Sequence, residues 1–177
     1  MEKVFRQMNN KRWKQFLNET KKPKVKKLFQ KAKQIPYTFD WGLLGEQKRT
    51  PEIATFDFDD TLYATDTKTA TPMVQAAKDL AAKGATIYVV SSRRNEPFNR
   101  GFIAKFVEEN DIPLSGSPME IDGIHLTNFR SKLDTLTKLG SEMHFDDDQE
   151  VGDEIQASNS EIKFMSVNPE TGTLRRS

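Results

Sequence analysis

The stretch from Glu52 to Tyr63, EIATFDFDDTLY, sets Asp57, Asp59 and Asp60 directly behind an apolar run. Carboxylates so spaced can hold a hard cation, work as an acid and base, or attack an electrophile. Their mutual repulsion must be offset by a cation, by backbone donors or by open water. The chain has no Cys and only two His, His125 and His144. Thiol catalysis and thiolate metal sites are therefore excluded, and any metal site is built mainly from oxygen, which favours magnesium or a similar hard cation. An EF-hand loop starting at Asp57 would need Gly and Glu where Leu62 and Lys68 stand. A Walker B strand would need a Walker A partner, and the chain contains neither a Gly-Lys pair nor GxGxxG.

Elements able to position these acids are legible from Glu52 onward, where short apolar runs alternate with amphipathic stretches. That pattern predicts an α/β domain, a Rossmann-like parallel sheet flanked by helices, with ligands bound at the carboxyl ends of the strands. Strands are predicted over Ile53–Phe58, Thr86–Val90, Glu142–Phe145 and Glu161–Ser166, with a weaker one near Ile112–Leu114. Helices fall between them. One has Thr71 as its cap, Pro72 at its first position and Gly84 as its stop; others span Phe98–Asn110, Ser131–Leu139 before Gly140, and Val151–Ala157.

Hydrophobic content is 36% and charged content 30%, values of a soluble globular protein. No apolar run is long enough to span a bilayer, and the first residues lack a secretory signal, which argues for a cytoplasmic protein. The net charge of +1 conceals a division. Residues 1–50 hold 14 Lys/Arg against 4 Asp/Glu, and residues 51–177 hold 13 against 22. The chain thus reads as a basic N-terminal extension, 1–50, joined to an acidic domain, 51–177. Val25, Leu28, Phe29 and Ala32 share one face of a predicted basic helix that ends at Pro36. Its partner is either an external polyanion or the acidic domain itself.

The pentapeptide DFDDT, Asp57 to Thr61, resembles the DxDx[TV] motif of phosphatases in the haloacid dehalogenase superfamily. Three further segments resemble that family's motifs in the expected order: TIYVVSSRR ending in Ser91, Ser92 and Arg93; Lys132 in TNFRSKLDTL, with Arg130 as a rival; and MHFDDDQE, bearing Asp146 and Asp147. The resemblance implies a magnesium-dependent phosphomonoester hydrolase with Asp57 as nucleophile, Asp59 as acid and base, and Lys132 as a catalytic cation. It implies metal binding by Asp57, Asp59 (through its carbonyl) and Asp147 or Asp146. Asp147 is favoured because FDD is similar to the ending found in the phosphatase domain of phage polynucleotide kinase. Thr61, Ser91, Ser92 and Arg93 are the implied substrate-binding residues. The family's further acid after the metal aspartate has no counterpart counted from Asp147, where Val151 and Gly152 stand; counted from Asp146, Glu150 falls into place. Only nine residues separate Thr61 from Thr71, so a capless enzyme is implied. A basic extension beside an open site suggests a phosphorylated substrate such as a nucleotide or a 3′-phosphate end of nucleic acid. The alternative is a protein that keeps the fold and binds nucleic acid, or regulates, without turnover.

Overall fold

The computed structural model describes residues 49–115 and 123–175, and the predicted basic helix around Val25–Ala32 lies outside them. In chain order the elements are β1 (Ile53–Phe56), β2 (Tyr63–Ala64), β3 (Thr69–Ala70), α1 (Met73–Ala82), β4 (Thr86–Ser91), α2 (Pro97–Glu109), β5 (Ile124–Leu126), α3 (Leu133–Leu139), β6 (Met143–Asp146), α4 (Gln149–Ala157), β7 (Lys163–Asn168) and β8 (Thr173–Leu174). The main sheet runs β5-β4-β1-β6-β7-β8, parallel except for β8, which returns antiparallel to β7. β2 and β3 form a separate hairpin. No helix among the described residues is long and apolar enough to cross a membrane.

Side-chain alternation along the strands decides what each face of the sheet meets. Ala54 and Phe56 of β1, Ile87 and Val89 of β4, and Met143 and Phe145 of β6 point to one side. There they pack with Met73 and Leu80 of α1 and with Ile103 and Phe106 of α2. Phe56 and Phe145 stack across adjacent strands with ring centroids 4.4 Å apart. The other side is covered by Leu136 of α3 and by Val151 and Ile155 of α4, packed with Val90. On that second side β1 and β6 place polar residues, Thr55 and His144, in register with each other.

Local chemistry ends the helices where the residue types require. Thr71 Oγ1 accepts from Met73 N at 3.1 Å, so the predicted cap is made although the helix proper begins at Met73. Gly140 closes α3 in the left-handed conformation, φ 68°. α4 begins two residues before the predicted Val151, because the Asp148 side chain accepts from Glu150 N at 2.9 Å and so caps the helix there. This helix sits close to β7: a Cβ added at Gly152 would come within 2.5 Å of the Phe164 ring.

Two strand expectations need correction. The predicted strand over Ile53–Phe58 ends at Phe56, after which only Asp57 N, donating to Phe145 O at 2.8 Å, continues the ladder. Phe58 instead turns into an aromatic cluster with Tyr63, Phe102 and Phe106. Ile112–Leu114 forms no strand; Ile112 is buried, and one bond from Ser115 N to Ile87 O touches β4. The fifth parallel strand is Ile124–Leu126, three residues whose apolar signal is too short to stand out.

The order of the strands fixes where a ligand site can form. From β1 the chain steps outward to β4 and β5, then returns to β6 on the opposite side of β1. The crevice at the carboxyl ends of β1 and β6 is therefore the topological switch point, the usual ligand position in open α/β sheets. Asp57 follows β1, and Asp146 ends β6.

Candidate functional site

Asp57 and Asp146 lie on the face that also carries Thr55 and His144, one pleat further toward the rim. Both are buried, with relative exposures of 5% and 0%. Lys132, placed just ahead of α3, extends its ammonium between them. Its Nζ is 2.6 Å from Asp57 Oδ1 and 2.7 Å from Asp146 Oδ2, with only 3% of the residue exposed. Arg130, the rival considered from the sequence, is exposed.

One cation thus faces two buried carboxylates, and their titration reflects the shortfall. Burial, with Asp146 nearby, pushes Asp57 up to about 8 despite Lys132. Burial alone would also raise Asp146, but the hydrogen bond from His144 and the charge of Lys132 hold it below the usual carboxylate range. Lys132 is raised, because the two carboxylates outweigh the burial that would lower it.

Behind Asp146 runs a chain of buried polar groups. His144 Nε2 lies 2.9 Å from Asp146 Oδ2, and its Nδ1 lies 2.8 Å from Thr55 Oγ1. Thr55 Oγ1 in turn lies 2.9 Å from Ser141 Oγ. Burial lowers the pKa of His144, so a neutral ring donates through Nε2 and accepts from Thr55 through Nδ1. Asp148 N also donates to Asp146 Oδ1 at 3.0 Å. Asp146 is consequently occupied on both oxygens by protein donors.

Asp147 is partly buried and is reached by Thr61 Oγ1 at 3.2 Å. Burial and the Asp146 charge raise its pKa. Asp57, Asp146 and Asp147 each offer an oxygen, and these atoms all lie within 4.8 Å of one another. An all-oxygen set of this kind suits a hard divalent cation. Since Asp146 already accepts from Lys132, His144 and Asp148 N, Asp147 is the less committed of the pair.

Asp59 sits across from Arg93 in a forked contact: Nε donates to Oδ2 at 2.7 Å and Nη2 to Oδ1 at 2.6 Å. Aromatic contacts fix the guanidinium, whose Cζ is 5.0 Å from the ring centroids of both Phe58 and Phe102. Ser91 is buried at the tip of β4, and its Oγ accepts from Arg93 N at 3.3 Å. Ser92 is half-buried and accepts from Phe129 N through its carbonyl.

Asp60, the third acid of the opening run, takes no part in the cluster. Its Oδ1 accepts from Thr65 N at 2.8 Å and from Thr65 Oγ1 at 2.6 Å, pinning the β2–β3 hairpin. Glu150 is exposed on α4 and caps nothing at the site. The positions counted from Asp147 for a further acid are consumed by packing, Val151 in the core and Gly152 against Phe164. His144 supports the cluster from behind as a hydrogen-bonding partner of Asp146. Its signal was the i, i+2 spacing to Asp146 on a strand, which puts both on one face. No protein-family model matches the chain, and no curated protein matches it.

Proposed function

We propose that the protein is a magnesium-dependent phosphomonoester hydrolase of the haloacid dehalogenase type, working through an aspartyl-phosphate on Asp57. The observation that carries this reading is the cluster at the switch point: a buried aspartate held by a lysine, beside two further aspartates within cation-binding distance. Such a cluster has a deficit of positive charge that a divalent ion would relieve. Magnesium, when bound by Asp57 and Asp147, would neutralise the phosphoryl oxygens and align them for in-line attack.

The chain's own residues supply the remaining steps. Lys132 holds Asp57 by Oδ1 and keeps the carboxylate from swinging. Ser91 and the backbone donors beside it bind phosphoryl oxygens. Asp57, as the carboxylate, attacks phosphorus, and the bond to the leaving oxygen breaks as Asp59, protonated from solvent once the Arg93 fork has opened, delivers a proton to that oxygen. Asp59, then a carboxylate, takes a proton from the water that cleaves the aspartyl-phosphate, releasing inorganic phosphate and restoring Asp57. The Arg93 fork on Asp59 must loosen for the proton to move. An anionic substrate offers the guanidinium a competing partner. The short β2–β3 hairpin between Thr61 and α1 leaves no room for a cap domain there. Nucleotides and 3′-phosphate ends of nucleic acid fit a site of that openness in a chain whose first 50 residues are strongly basic.

The test is hydrolysis of a phosphate-ester panel with and without magnesium, read beside the mass of the peptide containing Asp57 after acid quench. Turnover abolished by Asp57→Asn, with a phosphate adduct on that peptide in the native protein, is the expected result. Absence of turnover on every ester with every divalent ion overturns the reading.

A further inference from the structure

The lip of the site carries an aromatic residue in a conformation that works against the fold. Thr127 to Arg130 is a tight turn, in which Arg130 N donates to Thr127 O at 3.1 Å and Thr127 Oγ1 donates to Arg130 O at 2.8 Å. Both central residues have positive φ, Asn128 at 57° and Phe129 at 61°. Turns with two such residues accept Asn at the first place and prefer Gly at the second. A bulky side chain there is a steric outlier. Burial does not offset this cost, because Phe129 is 71% exposed, above Phe98 at 57%, the other exposed large hydrophobic residue among those described.

The turn is tied to the segment that follows β4. Thr127 N donates to Ser91 O at 2.9 Å, Asn128 N to Arg93 O at 3.1 Å, and Phe129 N to Ser92 O at 2.7 Å. The Asn128 side chain adds a bond from Asn95 N at 2.7 Å. The ring is thus fixed to the same backbone that carries Ser91 and Arg93. The Arg94 guanidinium, which also reaches Glu96 at 3.9 Å, lies 5.8 Å from the Phe129 centroid. With that cation to one side, the residue still remains mostly exposed. Arg94 and Arg130 are exposed beside it, and Arg93 lies just inside.

We infer that Phe129 is a stacking platform for the base of a nucleotide whose phosphate is held at Asp57 and Ser91. The inference rests on the function proposed above and names its substrate class. A flat π face beside the Arg94 guanidinium, on a turn bonded to the backbone that follows Ser91, matches a ligand that is aromatic at one end and anionic at the other. A single ring is too small to dock a protein, whose interfaces bury about 800 Å² per partner. Stacking of one base on an aromatic side chain is worth about five- to a hundred-fold in affinity.

The test compares thymidine 3′- and 5′-monophosphates with the corresponding 2-deoxyribose phosphates, which lack the base. Binding is measured on the full chain carrying Asp57→Asn, and turnover on the chain with Asp57 intact, each with Phe129, Phe129→Gly or Phe129→Trp. Phe129→Gly is expected to weaken nucleotide binding about five- to a hundred-fold, to leave the baseless phosphates within about two-fold, and to keep or raise Tm because the turn is relieved. Phe129→Trp should restore or tighten nucleotide binding. Equal effects on both ligand classes, or no preference for the nucleotides with Phe129 in place, overturn the platform. Turnover without base preference would sink the platform and spare the phosphatase, whereas base-dependent binding without any turnover would do the reverse.

Discussion

Two acid–base clusters, at opposite ends of the sheet, are built from similar parts and behave differently. At the amino end Arg49 reaches Glu52 at 3.4 Å and Glu142 at 3.2 Å, with the arginine side chain 71% exposed. At the carboxyl end Lys132 bridges Asp57 and Asp146 at 2.6 and 2.7 Å, with all three side chains at or below 7% exposure. Water screens the first group, and its charges need no particular complement. Desolvation magnifies every imbalance in the second. The same pairing chemistry therefore decorates one end of the molecule and builds a buried, strongly coupled charge cluster at the other.

The largest contrast is expected from removing the cation of each cluster. Lys132→Met leaves two buried carboxylates without a counter-ion and should cost about 3–5 kcal/mol, read by denaturant unfolding, along with essentially all hydrolysis. Arg49→Met should change stability by about 0–1 kcal/mol. If the two variants unfold alike, the contrast between screened and buried charge is wrong.

Next in size is the proposed proton donor. Asp59→Asn should lower kcat by about 10²–10⁴-fold with little change in stability, measured on an ester with a poor leaving group. Arg93→Lys, which cannot make the forked contact, should fall between that variant and the native protein.

A smaller effect is expected at the buried histidine. His144→Phe removes the donor to Asp146, the neighbour of the proposed ligands Asp57 and Asp147, and should weaken magnesium binding by no more than about 10-fold, while His144→Gln, which keeps an N–H, should recover part of it. Calorimetric titration with magnesium separates the two.

The mildest test varies pH. Burial pushes Asp57 up to about 8 in the folded protein, whereas the unfolded chain releases the proton near the ordinary 3.8. Between those values the folded state binds more protons, so the metal-free protein loses stability from this group as pH rises. Cation binding expels the proton, so the rise in Tm caused by magnesium should grow from pH 6 to 8. Asp57→Asn should flatten that trend; an unchanged trend would place the titrating group elsewhere.

Much of the scaffold was legible because its signals are local. Thr71, Gly84 and Gly140 punctuate helices through backbone chemistry that a sequence displays directly, and β4 and β7 are long enough to show their apolar character. β5 was missed because three residues give too little periodicity, and the neighbouring Ile112 is buried without being a strand. At the site, the convergence of Asp57, Lys132 and Asp146 follows from strand tips meeting at a switch point. The contact between Asp59 and Arg93 and the strain at Phe129 do not follow in the same way. Each depends on how two loops far apart in sequence lie against one another, and nothing in residue type encodes that.

The seat of α4 on β7 has a consequence for how the chain could be tuned. Because Gly152 admits the Phe164 ring where any other residue would collide, the helix is docked as deep as it can go. Asp148 begins that helix and Asp147 precedes it, so the depth of the dock sets how far the outer carboxylate stands from Asp57. A methyl group at position 152 would act as a shim, widening the gap between the oxygens without altering an acid. Under the cation role proposed above, Gly152→Ala would then shift preference from small to larger ions by volume alone.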